Sequence, residues 1–66
     1  MSVARVTKIT ASSKKGWEDA ASQGLKRAAA TLRGITGLEV VSQKAKVEGG
    51  KIVEYRLTME VTFILE

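Results

Sequence analysis

The last sixteen residues, Lys51 to Glu66, alternate with a period of two. Val53, Tyr55, Leu57, Met59, Val61, Phe63 and Leu65 take the odd positions. Glu54, Arg56, Thr58, Glu60, Thr62 and Glu66 take the even ones, with Ile52 and Ile64 the exceptions. Successive side chains of a strand point to opposite faces, so the pattern predicts one long β-strand, apolar on one side and polar on the other. A chain of 66 residues cannot cover such a strand alone. Domains of this size bury only about 60% of their unfolded surface and usually add disulfides, a metal or further chains. With no cysteine and no histidine, a disulfide framework and the usual zinc and haem ligand sets are excluded. Oligomerisation is the remaining way to finish a core.

Three further elements precede that strand. Residues 3 to 11, VARVTKITA, are rich in β-branched types and predict a first strand, with no clear inward face. From Lys14 to Leu32 the spacing becomes helical, with Trp17, Ala20, Ala21, Gly24, Leu25, Ala28 and Leu32 on one stripe and no proline. Ser12 and Ser13 offer hydroxyls to the first turn, and Glu18 and Asp19 place negative charge at the positive end of the helix dipole. Gly34 is the expected C-terminal cap. Thr36 to Val47 reads as a second strand, and Glu48-Gly49-Gly50-Lys51 as a tight hairpin, because paired glycines supply positive φ angles. The expected fold is α+β in the order β-α-β-β, one domain over residues 1–66. The helix stripe is dominated by alanine and glycine, which allows close approach to the sheet but fills little volume.

The net charge of +4 suits either a phosphate-attracting surface or ordinary solubility. Its lysines and arginines are scattered without interleaved aromatics, so no nucleic-acid partner is expected. No apolar run reaches the ~20 residues of a membrane span and the first ten residues lack a signal-peptide core, so the expectation is a cytoplasmic protein without membrane contact. Enzymatic chemistry is not expected either. There is no His or Cys for base or nucleophile, no serine in a nucleophile setting and no phosphate-binding glycine loop between a strand and a helix.

Three strings, taken in order, resemble the dodecins: ITASSKKGWEDAASQGLKRAAATLRGI from Ile9 to Ile35, then Gln43-Lys44 with VEGGKI from Val47 to Ile52, then EYRLTMEVTF from Glu54 to Phe63. The resemblance implies a three-stranded antiparallel sheet wrapped on one helix, and a hollow homododecamer in which long strands pair across subunits. It also implies a flavin-binding, storage or buffering protein that holds FMN, riboflavin or FAD between tryptophans of symmetry-related copies.

Carried over residue by residue, the ligand site falls on Gly37, Lys44 and Arg56. Gly37 precedes Leu38-Glu39-Val40, where flavin-binding dodecins have the stacking tryptophan, and Arg56 follows Tyr55, where they have glutamine. A glycine has no π-face, and an arginine donates hydrogen bonds but accepts none. Flavin binding is therefore expected to be weakened or altered. Lys44 keeps the cation that the family places near the flavin's phosphate or side chain; the plain alternative for Lys44 and Arg56 is solvated charge on a strand. Trp17 sits on the helix stripe, where packing is its expected role. A branch of the family without the stacking tryptophan is associated with calcium. Glu18 with Asp19, or Glu54, Glu60 and Glu66, are the carboxylates that such an alternative would use, and a purely structural assembly without flavin is the other alternative.

Overall fold

Odd-numbered apolar residues of the closing strand build the core. In a computed structural model, which describes residues 3–65, β3 runs Lys51–Leu65. Leu57, Met59 and Val61 are its fully buried members. Before it come β1 (Val3–Ser13), α1 (Trp17–Ala29) and β2 (Ile35–Glu48), so the order is β-α-β-β. The sheet order is β1-β3-β2, antiparallel throughout, which puts the longest strand in the centre. Glu66, the last residue of the expected strand, lies outside the described residues.

Central placement explains why β3 is the strand with the cleanest alternation. It is the one whose two edges are both paired and whose apolar face lies under the helix. α1 packs across β1 and β3 through Ala20, Gly24 and Ala28, spaced by four. Ala20 joins Leu57 and Met59 in the buried cluster, with Ile9, Ala11, Trp17 and Ala21 against it. A Cβ built on Gly24 would lie 2.6 Å from Met59 Cε and 3.0 Å from Ala11 Cβ. The small-residue stripe therefore sets how closely helix and sheet approach.

Both helix ends differ from the expectation. The helix begins at Trp17, not Lys14, because Ser12 and Ser13 belong to β1. Ser13, buried, donates from Oγ to Asp19 Oδ2 at 2.6 Å and accepts from the Lys15 amide at 2.9 Å. That hydroxyl holds the chain in a turn before the helix and clamps the first helical turn to the strand end. Gly16 stands at the N-cap position with no side-chain hydrogen bond. At the other end α1 stops at Ala29, and amides of Thr31 and Leu32 both donate to the Ala28 carbonyl at 3.1 and 2.8 Å, so the last turn tightens by itself. Gly34 is not the cap. Its φ of 72° serves the entry to β2, where its carbonyl accepts from the Ile64 amide at 2.9 Å.

The hairpin is as expected. Gly49 and Gly50 have φ of 59° and 76° between Glu48 and Lys51, the pair of positive values that a two-residue turn matching strand twist requires. β2 is irregular, with register shifts at Ile35/Gly37, Val40/Ser42 and Lys46/Val47. No helix covers its helix-side face. Leu38 and Val40 stand 37% and 46% exposed there, although both pair in register with the buried Val61 and Met59.

Candidate functional site

The even residues of β3 and their neighbours in register form a second face, free of the helix. Ser12, Arg56 and Lys44 make one row across the three strands, with Thr10, Thr58 and Ser42 in the next. The Thr10 and Thr58 hydroxyls share a hydrogen bond of 3.1 Å. Then follow Lys8, Glu60 and Glu39, and then Val6, Thr62 and Gly37. Lys44 and Arg56 are thus direct cross-strand partners near the hairpin. Gly37 belongs to the row of Thr62, six residues away along β3 or roughly 20 Å. One copy of the chain does not bring the three together.

At the hairpin end the charges are coupled. Arg56 Nε donates to Glu54 Oε1 at 2.8 Å, and Lys46 pairs with Glu54 in register while its Nζ lies 3.9 Å from Glu48. The Arg56 hydrogen bond, aided by the charges of Arg56, Lys46 and Lys14 against a smaller opposing desolvation, holds the Glu54 carboxyl below the ordinary glutamate range. Lys44, Ala45, Lys46 and Arg56 line a shallow depression there. Among the described residues Lys44 has no ion pair.

At Gly37 the surface is open. Its φ is not positive, and an added Cβ would meet only Thr62 Cβ at 3.9 Å, an ordinary contact. The backbone therefore accepts a side chain at this position. The aromatic residues lie elsewhere. Trp17 packs edge-on against Tyr55, centroids 4.9 Å apart at 80°, on the helix side of the sheet, and Phe63 shares the odd-numbered face of β3. As expected, Trp17 serves packing. The helix-free face holds no aromatic platform, so this chain alone does not fit a stacked isoalloxazine ring at Gly37.

Among the described residues the carboxylates do not converge in one copy. Among the described residues no three Asp or Glu side chains cluster in a way that could hold a metal ion. Asp19 is occupied by Ser13, Glu54 by Arg56, and Glu54 and Glu60 are six residues apart on their strand. Glu39 stands directly across from Glu60, a pairing hidden from the sequence until the register is known. Ser12 and Lys46 were missed for the same reason. Only the sheet order places them beside Arg56 and Glu54.

A small antiparallel sheet on one helix, with a polar face and an uncovered apolar strip, defines a class of α+β modules whose core a single copy leaves partly open. The model of the Dodecin family matches residues 3–66, and the chain belongs to that family, whose members are small binding proteins and not enzymes. Dodecin from Streptomyces davaonensis superposes with a TM-score of 0.91 at 34% identity, covering 98% of this chain and 96% of its own. The R45A variant of the T. thermophilus dodecin gives 0.94 at 30%, over 100% and 98%. The calcium dodecin of Mycobacterium tuberculosis is 33% identical over 63 residues, 96% of this chain and 89% of its own. The family implies assembly of identical copies and a small ligand. No helix among the described residues is long and apolar enough to cross a membrane.

Proposed function

We propose that the chain forms a homododecameric cage that stores or buffers flavin, with binding weakened because Gly37 and Arg56 stand where an aromatic platform and an amide are usual. Lys44 and Arg56 hold the ligand from the hairpin end of one copy, and Gly37 comes to it from another. The observation that carries the reading is the match to dodecins along the whole described chain, joined to an open Gly37 whose backbone does not need glycine. An aromatic platform contributes about 1–3 kcal/mol of stacking per ring in comparable nucleic-acid sites.

Titration of FMN and riboflavin, followed by flavin fluorescence, tests this directly. The natural chain binds weakly, and Gly37→Trp tightens binding by about tenfold or more. Absence of quenching by both proteins at micromolar concentration refutes the flavin reading.

A second reading is calcium, supported by the likeness to a calcium dodecin and by Glu39 facing Glu60 across the sheet. Because calcium takes six to eight oxygens, the ion would be held by carboxylates of several copies. Calorimetry with calcium decides it: no heat and no shift in melting temperature removes this reading.

A further inference from the structure

The small residues that bring α1 close to the sheet leave space beside it. Between the C-terminal half of α1 and β1, an edge strand, lies an open groove of about 610 Å³, a volume within the range of small-molecule sites. Its floor and walls are apolar, with Ile9 and Ala11 from the strand and Gly24, Ala28 and Leu32 from the helix segment. Its rim is polar, and Arg27 is the one charged residue that lines it. Among the described residues Arg27 has no ion pair. Asp19, about 12 Å back along the helix axis, is held by Ser13. The Ala28 carbonyl, which carries part of the negative end of the helix dipole, is already taken by the Thr31 and Leu32 amides, so it offers no free acceptor to oppose an anion. An apolar trough with an unpaired guanidinium on its rim is complementary to a molecule with an apolar tail and a carboxylate head.

We propose that this groove binds a carboxylate with a medium-length aliphatic tail, the tail lying along Ile9, Ala11, Gly24 and Ala28 and the carboxylate on the Arg27 fork. A second copy of the chain is the poorer occupant. The bare strip of β2, Leu38 and Val40, would cover the apolar floor, but Glu39 between them lies on the opposite face of the sheet, in register with Glu60. Arg27 would then lose water without gaining a counter-charge, which is costly. The groove lies across the sheet from Gly37, Lys44 and Arg56. The inference therefore goes beyond the proposed function and does not depend on flavin binding.

Calorimetry of the assembled natural protein with octanoate, kept below the concentration at which it forms micelles, tests the groove. Octanoate is expected to bind, and hexanoate roughly fifteenfold more weakly, because each buried CH₂ contributes about fourfold. Octylamine, with the same tail and the opposite charge, is expected not to bind measurably. Arg27→Gln removes one unit charge about 4 Å from the bound carboxylate and is expected to weaken octanoate roughly fivefold. Lys26→Gln removes the same charge from the neighbouring residue, which does not line the groove, and is expected to leave affinity nearly unchanged. Both side chains are exposed, so neither substitution puts folding at stake. Failure of octanoate to bind the natural assembly would mean that a neighbouring copy closes the groove, and would overturn the proposal. Equal weakening by Arg27→Gln and Lys26→Gln would do the same by reducing the effect to net charge, as would octylamine bound as tightly as octanoate. FMN and octanoate are expected to bind without competing, and competition between them would place octanoate in the flavin site instead.

Discussion

Two glycines of this chain show how one residue type serves opposite ends. Gly24 lies buried where the helix touches the sheet, and a methyl there would press on Met59 Cε at 2.6 Å and on Ala11 Cβ at 3.0 Å. Met59 has a flexible tip but is itself fully buried, and Ala11 is fixed on its strand. The gain in helix propensity from glycine to alanine is about 1 kcal/mol, while overpacking a tight core costs about 1–3 kcal/mol. The cost wins, so Gly24→Ala is expected to lower stability by about 1 kcal/mol. Gly37 has no such neighbour and no positive φ. Gly37→Ala is expected to gain about 0.5 kcal/mol by restricting the unfolded chain. Denaturant melts of the two variants check the opposite signs, and a stabilised Gly24→Ala would show that the interface relaxes.

At the level of elements, what the sequence disclosed depended on whether local chemistry or register decided. The alternation of β3 and the Gly49-Gly50 turn were legible because each needs only its own residues. The helix ends were not. A serine before a helix reads as a cap, yet Ser13 sits in the strand and reaches forward to the Lys15 amide and to Asp19, so the helix starts at the first apolar residue of its stripe, Trp17, and not at Lys14. Gly34 likewise looks like a cap, but its positive φ turns the chain into β2. The rows that join Ser12 to Arg56 and Lys46 to Glu54 require the strand order, and the register shift at Val40/Ser42 breaks the alternation that would have assigned the faces of β2. The Ser13 clamp carries a prediction. Replacing it with alanine removes two hydrogen bonds at a buried position, one to a carboxylate, and is expected to cost about 1–3 kcal/mol. Its measurement is a lowered urea midpoint with an unchanged slope. A variant as stable as the natural chain would mean that the helix start holds without the clamp.

The whole molecule is a plate measuring 52 × 19 × 13 Å, too thin to bury both sides of its sheet. One helix of thirteen residues covers β1 and β3, and among the described residues Leu57, Met59 and Val61 are the only fully buried large side chains. The strip it leaves bare on β2, Leu38 and Val40, continues the buried row of β3 without a break in register. Apolar surface of that kind on a chain this small is stabilised when another copy covers it, at about 25 cal/mol for each Å² removed from water. A carboxylate in the same place would be desolvated without a partner, a cost of several kcal/mol for each copy. Assembly is therefore expected to depend on this strip. Light scattering after size exclusion should give a mass near twelve times the 7.1 kDa chain for the natural protein, and a smaller species for Val40→Glu. A natural chain that elutes as a 7.1 kDa monomer would refute assembly, and a Val40→Glu variant of undiminished mass would move the interface to another face. Because the proposed flavin site draws Gly37 from one copy and Lys44 and Arg56 from another, a variant that dissociates should also lose flavin binding, with circular dichroism checking that its monomer stays folded.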